Sequence, residues 1–145
     1  DIDDRPRDPM EANLKPKNLV AFMGADARDV AAICRIIEEG NYGTATCKDL
    51  DGLKSLLAAP CMAAILDLDS VPLDNRSIRA LTLAYPATCF LCTSRERFHP
   101  DLKDAILHYL FACLHKPVDP DELHYFLRCI RDNETESRGP PGGEG

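Results

Sequence analysis

"AAILDLDSVPLDN", residues 63–75, runs apolar and then turns acidic. Ala63 to Leu66 read as a strand buried on both faces, because an unbroken apolar run leaves no polar side to meet water. Asp67, Asp69 and Asp74 follow within eight positions. Carboxylates at the end of a buried strand either satisfy the amides of the next turn or form a working site.

Outward from this stretch, strands and helices alternate. "NLVAFM" is a first buried strand, and "DARDVAAICRIIEE" follows it with Val30, Ile33, Ile36 and Ile37 at helical spacing. "GTATC" is a short strand after the Gly40–Gly43 turn. "DLDGLKSLLAA" is a helix with Leu53, Leu56 and Leu57 on one face, stopped by Pro60. "MAAILD" is the central strand, "NRSIRALTLAY" a helix ended by Pro86, and "TCFLCT" the fourth strand. "HPDLKDAILHYL" opens a helix with Pro100 near its first position, and "FACLH" is the fifth strand, with Phe111 read as core. In the last helix Asp119 is the N-cap, Pro120 takes N1 and Glu122 N3, and Leu123, Phe126, Leu127 and Ile130 form the apolar stripe.

Five short apolar strands alternating with five helices imply an α/β fold: a doubly wound, five-stranded parallel sheet in a three-layer α/β/α sandwich. A chain of 145 residues can bury one sizeable core. Residues 1–17, charged and carrying three prolines, read as a flexible lead-in, residues 18–132 as the domain, and residues 133–145 as a linker or appended tail. A start without Met and a linker-like end read as one module of a longer protein. A net charge of −7 argues against a nucleic-acid surface, and no apolar run is long enough to span a bilayer. Seven scattered cysteines fit reduced thiols in a cytoplasmic protein. "CFLC" offers no metal site, since Cys89 and Cys92 of one strand point to opposite faces. His99, His108, His115 and His124 fall on three elements, without a second ligand at useful spacing, and receive no role.

In doubly wound sheets the site lies beyond the carboxyl ends of the strands. Three strand ends carry polar groups: Asp67 after the third, Thr93 after the fourth and Lys116 after the fifth. Singly, each reads as turn chemistry or surface polarity. Together, a carboxylate, a hydroxyl and an ammonium converging on one crevice suit phosphoryl chemistry.

On "AILDLDSVPLDN", "FLCTS" and "LHKPVDPDEL", the sequence resembles the receiver domain of two-component response regulators over roughly residues 18–132. The resemblance implies a flavodoxin-like fold, Asp67 as phosphoacceptor, Thr93 as switch hydroxyl and Lys116 as the phosphate-contacting lysine. A histidine kinase or phosphotransfer protein would be the donor, and an attached output domain or partner protein the recipient of the signal. The domain would not be an enzyme in its own right.

The sequence departs from that family at two places. Receivers end the first strand with an acidic pair that helps hold Mg²⁺, and here Met23 and Gly24 stand in its place. The ion would be left with the Asp67 carboxylate and the Asp69 backbone carbonyl, a weak set for a cation that wants octahedral hard oxygens. Asp26, three residues beyond Met23, reads as the cap of the first helix with Asp29 three further on, rather than as a substitute ligand. Cys113 also stands where receivers place a switching aromatic. The alternative is therefore a pseudo-receiver, in which Lys116 pairs with Asp67 permanently and the domain serves docking or homodimerisation through its 98–132 face, with His108, His124 and Tyr125 exposed there. A flavodoxin-like ligand binder or enzyme comes third, because "GADARD" lacks a glycine- or hydroxyl-rich phosphate cradle.

Overall fold

A computed structural model of the chain describes residues 18–95 and 108–137. Their order is β1 (Leu19–Met23), α1 (Ala27–Glu39), β2 (Gly43–Cys47), α2 (Leu50–Leu56), β3 (Ala63–Asp67), α3 (Asn75–Ala84), β4 (Cys89–Ser94), β5 (Ala112–His115) and α4 (Pro120–Ser137). The strands form one parallel sheet in the order β2-β1-β3-β4-β5, the doubly wound flavodoxin-like arrangement. The strand order reverses between β1 and β3, so the crevice opens at their carboxyl ends.

Each helix begins where a short acid can accept an orphan amide. Asp26 accepts from the Arg28 N–H at 3.0 Å, Asp49 from Gly52 at 2.8 Å, Asp74 from Ser77 at 2.8 Å and Asp119 from Asp121 at 2.9 Å. These caps place the helix starts within a few residues of the strand ends. Asn41 adopts a left-handed φ of 70° in the turn that feeds β2.

Period-two alternation divides the core between the two faces of the sheet. Ala21, Met23, Ala64, Leu66, Phe90 and Cys92 point toward Leu53 of α2 and toward Ile78 and Leu81 of α3. Val20, Phe22, Ala63, Ile65, Leu91 and Leu114 meet Ile33, Ile36 and Ile37 of α1 and Leu123, Leu127 and Ile130 of α4. β3 lies between β1 and β4, and every one of its residues is buried. Cys89 and Cys92 fall on opposite faces, as alternation requires.

Three details differ from the sequence reading. α4 continues to Ser137, five residues past the domain boundary expected at 132, because a polar segment can extend a helix already nucleated by packing. Phe111 is not core: it is 37% exposed and meets Phe126 edge-on at 6.0 Å, since β5 is an edge strand. His124 is not a free surface group, because its Nε2 lies 2.6 Å from the Ile36 carbonyl oxygen and ties α4 to α1. The expected lead-in 1–17 and residues 98–107 of the expected helix 98–110 lie outside the described residues.

Removing side-chain volume from the doubly covered strand has a predictable cost. Ile65→Ala is expected to lower unfolding stability by about 2–5 kcal/mol in urea titrations. Leu83→Ala, on the exposed side of α3, should stay within about 0.5 kcal/mol of wild type.

Candidate functional site

Asp67, Thr93 and Lys116 lie on the α1/α4 face by the same alternation that sets the core. Asp67 and Thr93 are register partners at the ends of β3 and β4, and the Lys116 amide donates to the Ser94 carbonyl at 2.9 Å just past β5. Asp67 and Thr93 are fully buried. Thr93 Oγ1 donates to Asp67 Oδ1 at 3.3 Å, and Lys116 Nζ reaches the same oxygen at 2.7 Å. The Asp69 amide also donates to Oδ1, at 3.2 Å, and the Ser70 hydroxyl to Oδ2 at 2.9 Å. The Lys116–Pro117 peptide is cis.

The ammonium is shared more widely than the sequence implied. Lys116 Nζ stands 2.7 Å from Asp29 Oδ2 and 3.1 Å from Asp69 Oδ2 as well as 2.7 Å from Asp67. Arg95 completes the cluster from the rim. Its amide donates to Asp69 Oδ2 at 2.9 Å, and its guanidinium lies 3.6 Å from Asp69 and 3.9 Å from Asp29. Three carboxylates thus face one nearly buried ammonium and one exposed guanidinium. A cleft of about 490 Å³ lies against the cluster, lined by Asp29, Ile33, Ile36, Arg95, Lys116 and Val118 among others.

Desolvation opposes the charge on Lys116, but the hydrogen bonds it donates to Asp29, Asp67 and Asp69 outweigh it and raise its pKa. Burial likewise works against the Asp69 carboxylate, yet the Lys116 and Arg95 contacts hold its pKa below the usual value.

Asp29 is the member that sequence reasoning missed. Asp26 does cap α1, as expected. Asp29, one turn on, is carried over the end of the sheet because α1 packs Ile33, Ile36 and Ile37 on that same face. The signal was present in the phase of that apolar stripe, since Asp29 precedes Ile33 by one helical turn. Asp69, expected to contribute its backbone carbonyl, reaches the lysine with its carboxylate instead.

Met23 is buried in the opposite core, and Gly24 is buried beside Asp67. A Cβ on Gly24 would lie 3.4 Å from Asp67 Cβ but only 2.8 Å from the Phe22 ring, which fills the space an acidic side chain would need. Among the described residues no group of three or more acidic, His or Cys side chains is arranged to hold a metal ion. The oxygens of Asp29, Asp67 and Asp69 all converge on the Lys116 ammonium.

No protein-family model matches the sequence, and no curated protein sequence does. Solved structures match throughout the domain. The signal receiver domain of an HD domain-containing protein from Pseudomonas fluorescens aligns with a TM-score of 0.72 at 16% identity, over 83% of this chain and 98% of that one. A CheY-like response regulator receiver domain from Methanospirillum hungatei gives 0.72 at 13% identity, over 83% and 98%. A response regulator from Thermotoga maritima gives 0.69 at 14% identity, over 80% and 98%.

The chain has the receiver fold. At these identities the likeness is one of architecture, and Met23 and Gly24 stand at the end of β1, where the resemblance implies an acidic pair.

Two outcomes follow from the ion cluster. Lys116→Met leaves Asp67 buried without its cation and should lower stability by about 3 kcal/mol in urea unfolding. The pH dependence has a defined sign. Asp69, with its folded pKa depressed, contributes stability that is present above its unfolded value of 3.8 and lost as pH falls through the folded one. Lys116, with its folded pKa raised, contributes stability that is present below 10.5 and lost as pH rises through the folded value. Wild-type stability should therefore fall at both extremes, and the acid limb should be shallower in Lys116→Met.

Proposed function

We propose that this chain is the receiver module of a two-component-type signalling protein, held in one state by its own lysine and acting through docking rather than Mg²⁺-dependent phosphoryl transfer. The observation behind this conclusion is the Lys116 ammonium bound by three carboxylates, with Asp67 fully buried among them. The lysine neutralises the charge that an ion would otherwise neutralise, and every Asp67 oxygen already accepts a hydrogen bond. A phosphoryl group could reach Asp67 only by displacing those donors. In this role the domain performs no turnover chemistry; it presents a surface.

The described part of that surface carries an aromatic row just before β5 and on α4. Phe111 and Tyr125 are 37% and 54% exposed, and both rings pack edge-on against Phe126. An attached output domain, a partner protein or a second copy would dock there. No described helix is long and apolar enough to cross a membrane, and seven scattered cysteines suit the cytoplasm.

A second reading has its own support. Thr93 and Lys116 both contact Asp67 as a phosphoacceptor's partners would, at 3.3 and 2.7 Å, and a histidine kinase or phosphotransfer protein would then be the donor. Incubating wild type and Asp67→Asn with Mg²⁺ and either acetyl phosphate or beryllofluoride separates the two. Neither protein should be modified in intact-mass and ¹⁹F NMR measurements while both remain folded by circular dichroism. Modification of wild type alone would overturn the docking-only role and make Asp67 the phosphoacceptor.

A further inference from the structure

Two of the seven cysteines face each other across neighbouring strands. Cys92 of β4 and Cys113 of β5 are register partners on adjacent strands. They share the sheet face opposite Asp67, Thr93 and Lys116. Adjacent strands lie about 4.8 Å apart, and disulfides form when Cα atoms are separated by roughly 4.4–6.8 Å. Register therefore brings the two Cα atoms within the span that a disulfide bridges.

Their environments are unequal. Cys92 is fully buried, whereas Cys113 is exposed on the edge strand. The hydrogen bond from the Cys92 thiol favours the thiolate of Cys113 and lowers its pKa against the opposing effect of burial. The same bond, with burial, pushes the Cys92 thiol far up. An accessible thiol with thiolate character beside a protonated partner is the arrangement that reacts with peroxides and then closes to a disulfide.

We propose that Cys113 and Cys92 form a hydroperoxide-reactive dithiol, with Cys113 as the attacking thiol and Cys92 as its resolving partner. The Cys113 sulfur attacks one peroxide oxygen; the S–O bond forms as the O–O bond breaks, and the departing oxygen takes the thiol proton. Cys113 is oxidised to the sulfenic acid and the peroxide is reduced by two electrons. The Cys92 sulfur then attacks the Cys113 sulfur; the S–S bond forms, the S–O bond breaks, and hydroxide leaves with the Cys92 proton as water. With hydrogen peroxide the balance is two thiols and one peroxide giving one disulfide and two waters. The bond would tie β4 to β5 one residue before Thr93 and three before Lys116, whether or not Asp67 accepts a phosphoryl group.

The full chain treated with hydrogen peroxide should lose two of its seven thiols by dithionitrobenzoate titration. Non-reduced peptide mapping should join Cys92 to Cys113. Cys92→Ala should lose one thiol and hold Cys113 as a sulfenic acid that dimedone captures, and Cys113→Ser should keep Cys92 reduced. Cross-links between other cysteines, no thiol loss in wild type, or an undiminished loss in Cys113→Ser would each overturn the assignment. Cys113 is exposed, so Cys113→Ser leaves the core intact and decides the matter with wild type even if Cys92→Ala does not fold.

Discussion

A single ammonium organises the carboxyl edge of this sheet. Lys116 Nζ lies within 3.1 Å of three carboxylates that arrive from α1, β3 and the loop after β3. Without it, Asp67 would be a buried anion with only neutral donors, and Asp29 and Asp69 would repel one another across the crevice. The lysine therefore sets how α1, β3 and the β5–α4 connection sit together. It fixes the geometry as much as it contributes energy.

That cluster rests on the apolar layers beneath it. The α1/α4 layer aligns Phe22, Ile65, Leu91 and Leu114, and the next inward positions on those strands or their extensions are Gly24, Asp67, Thr93 and Lys116. Period-two alternation converts a packed core into a polar crown at the point where the strands end. The Phe22 ring packs beside Gly24, 2.8 Å from where a Cβ on that residue would stand. The charge missing from the end of β1 is made up in part by Asp29, one turn into the following helix.

The opposite face carries a different polarity. There the sheet ends in thiols rather than ions, with Cys92 and Cys113 side by side. The substitution of a small sulfur residue for the aromatic expected three positions before the lysine leaves this edge open to solvent. The aromatic surface appears instead at Phe111 and Tyr125, just before β5 and on α4.

The alternation of apolar runs with helical stripes determined the layer architecture, and the acid caps at Asp26, Asp49, Asp74 and Asp119 determined where the helices begin, because both are local properties of the chain. The polar residues at three strand ends were equally legible, since a parallel sheet sends all its carboxyl ends to one edge. Asp29 in the site, Phe111 outside the core and Cys92 opposite Cys113 were decided only by tertiary structure. The phase of the α1 stripe puts Asp29 on the sheet-facing side of its helix, but its meeting with Lys116, like the other two, depends on which strands are neighbours and on their register. These are set by long-range packing between segments far apart in sequence.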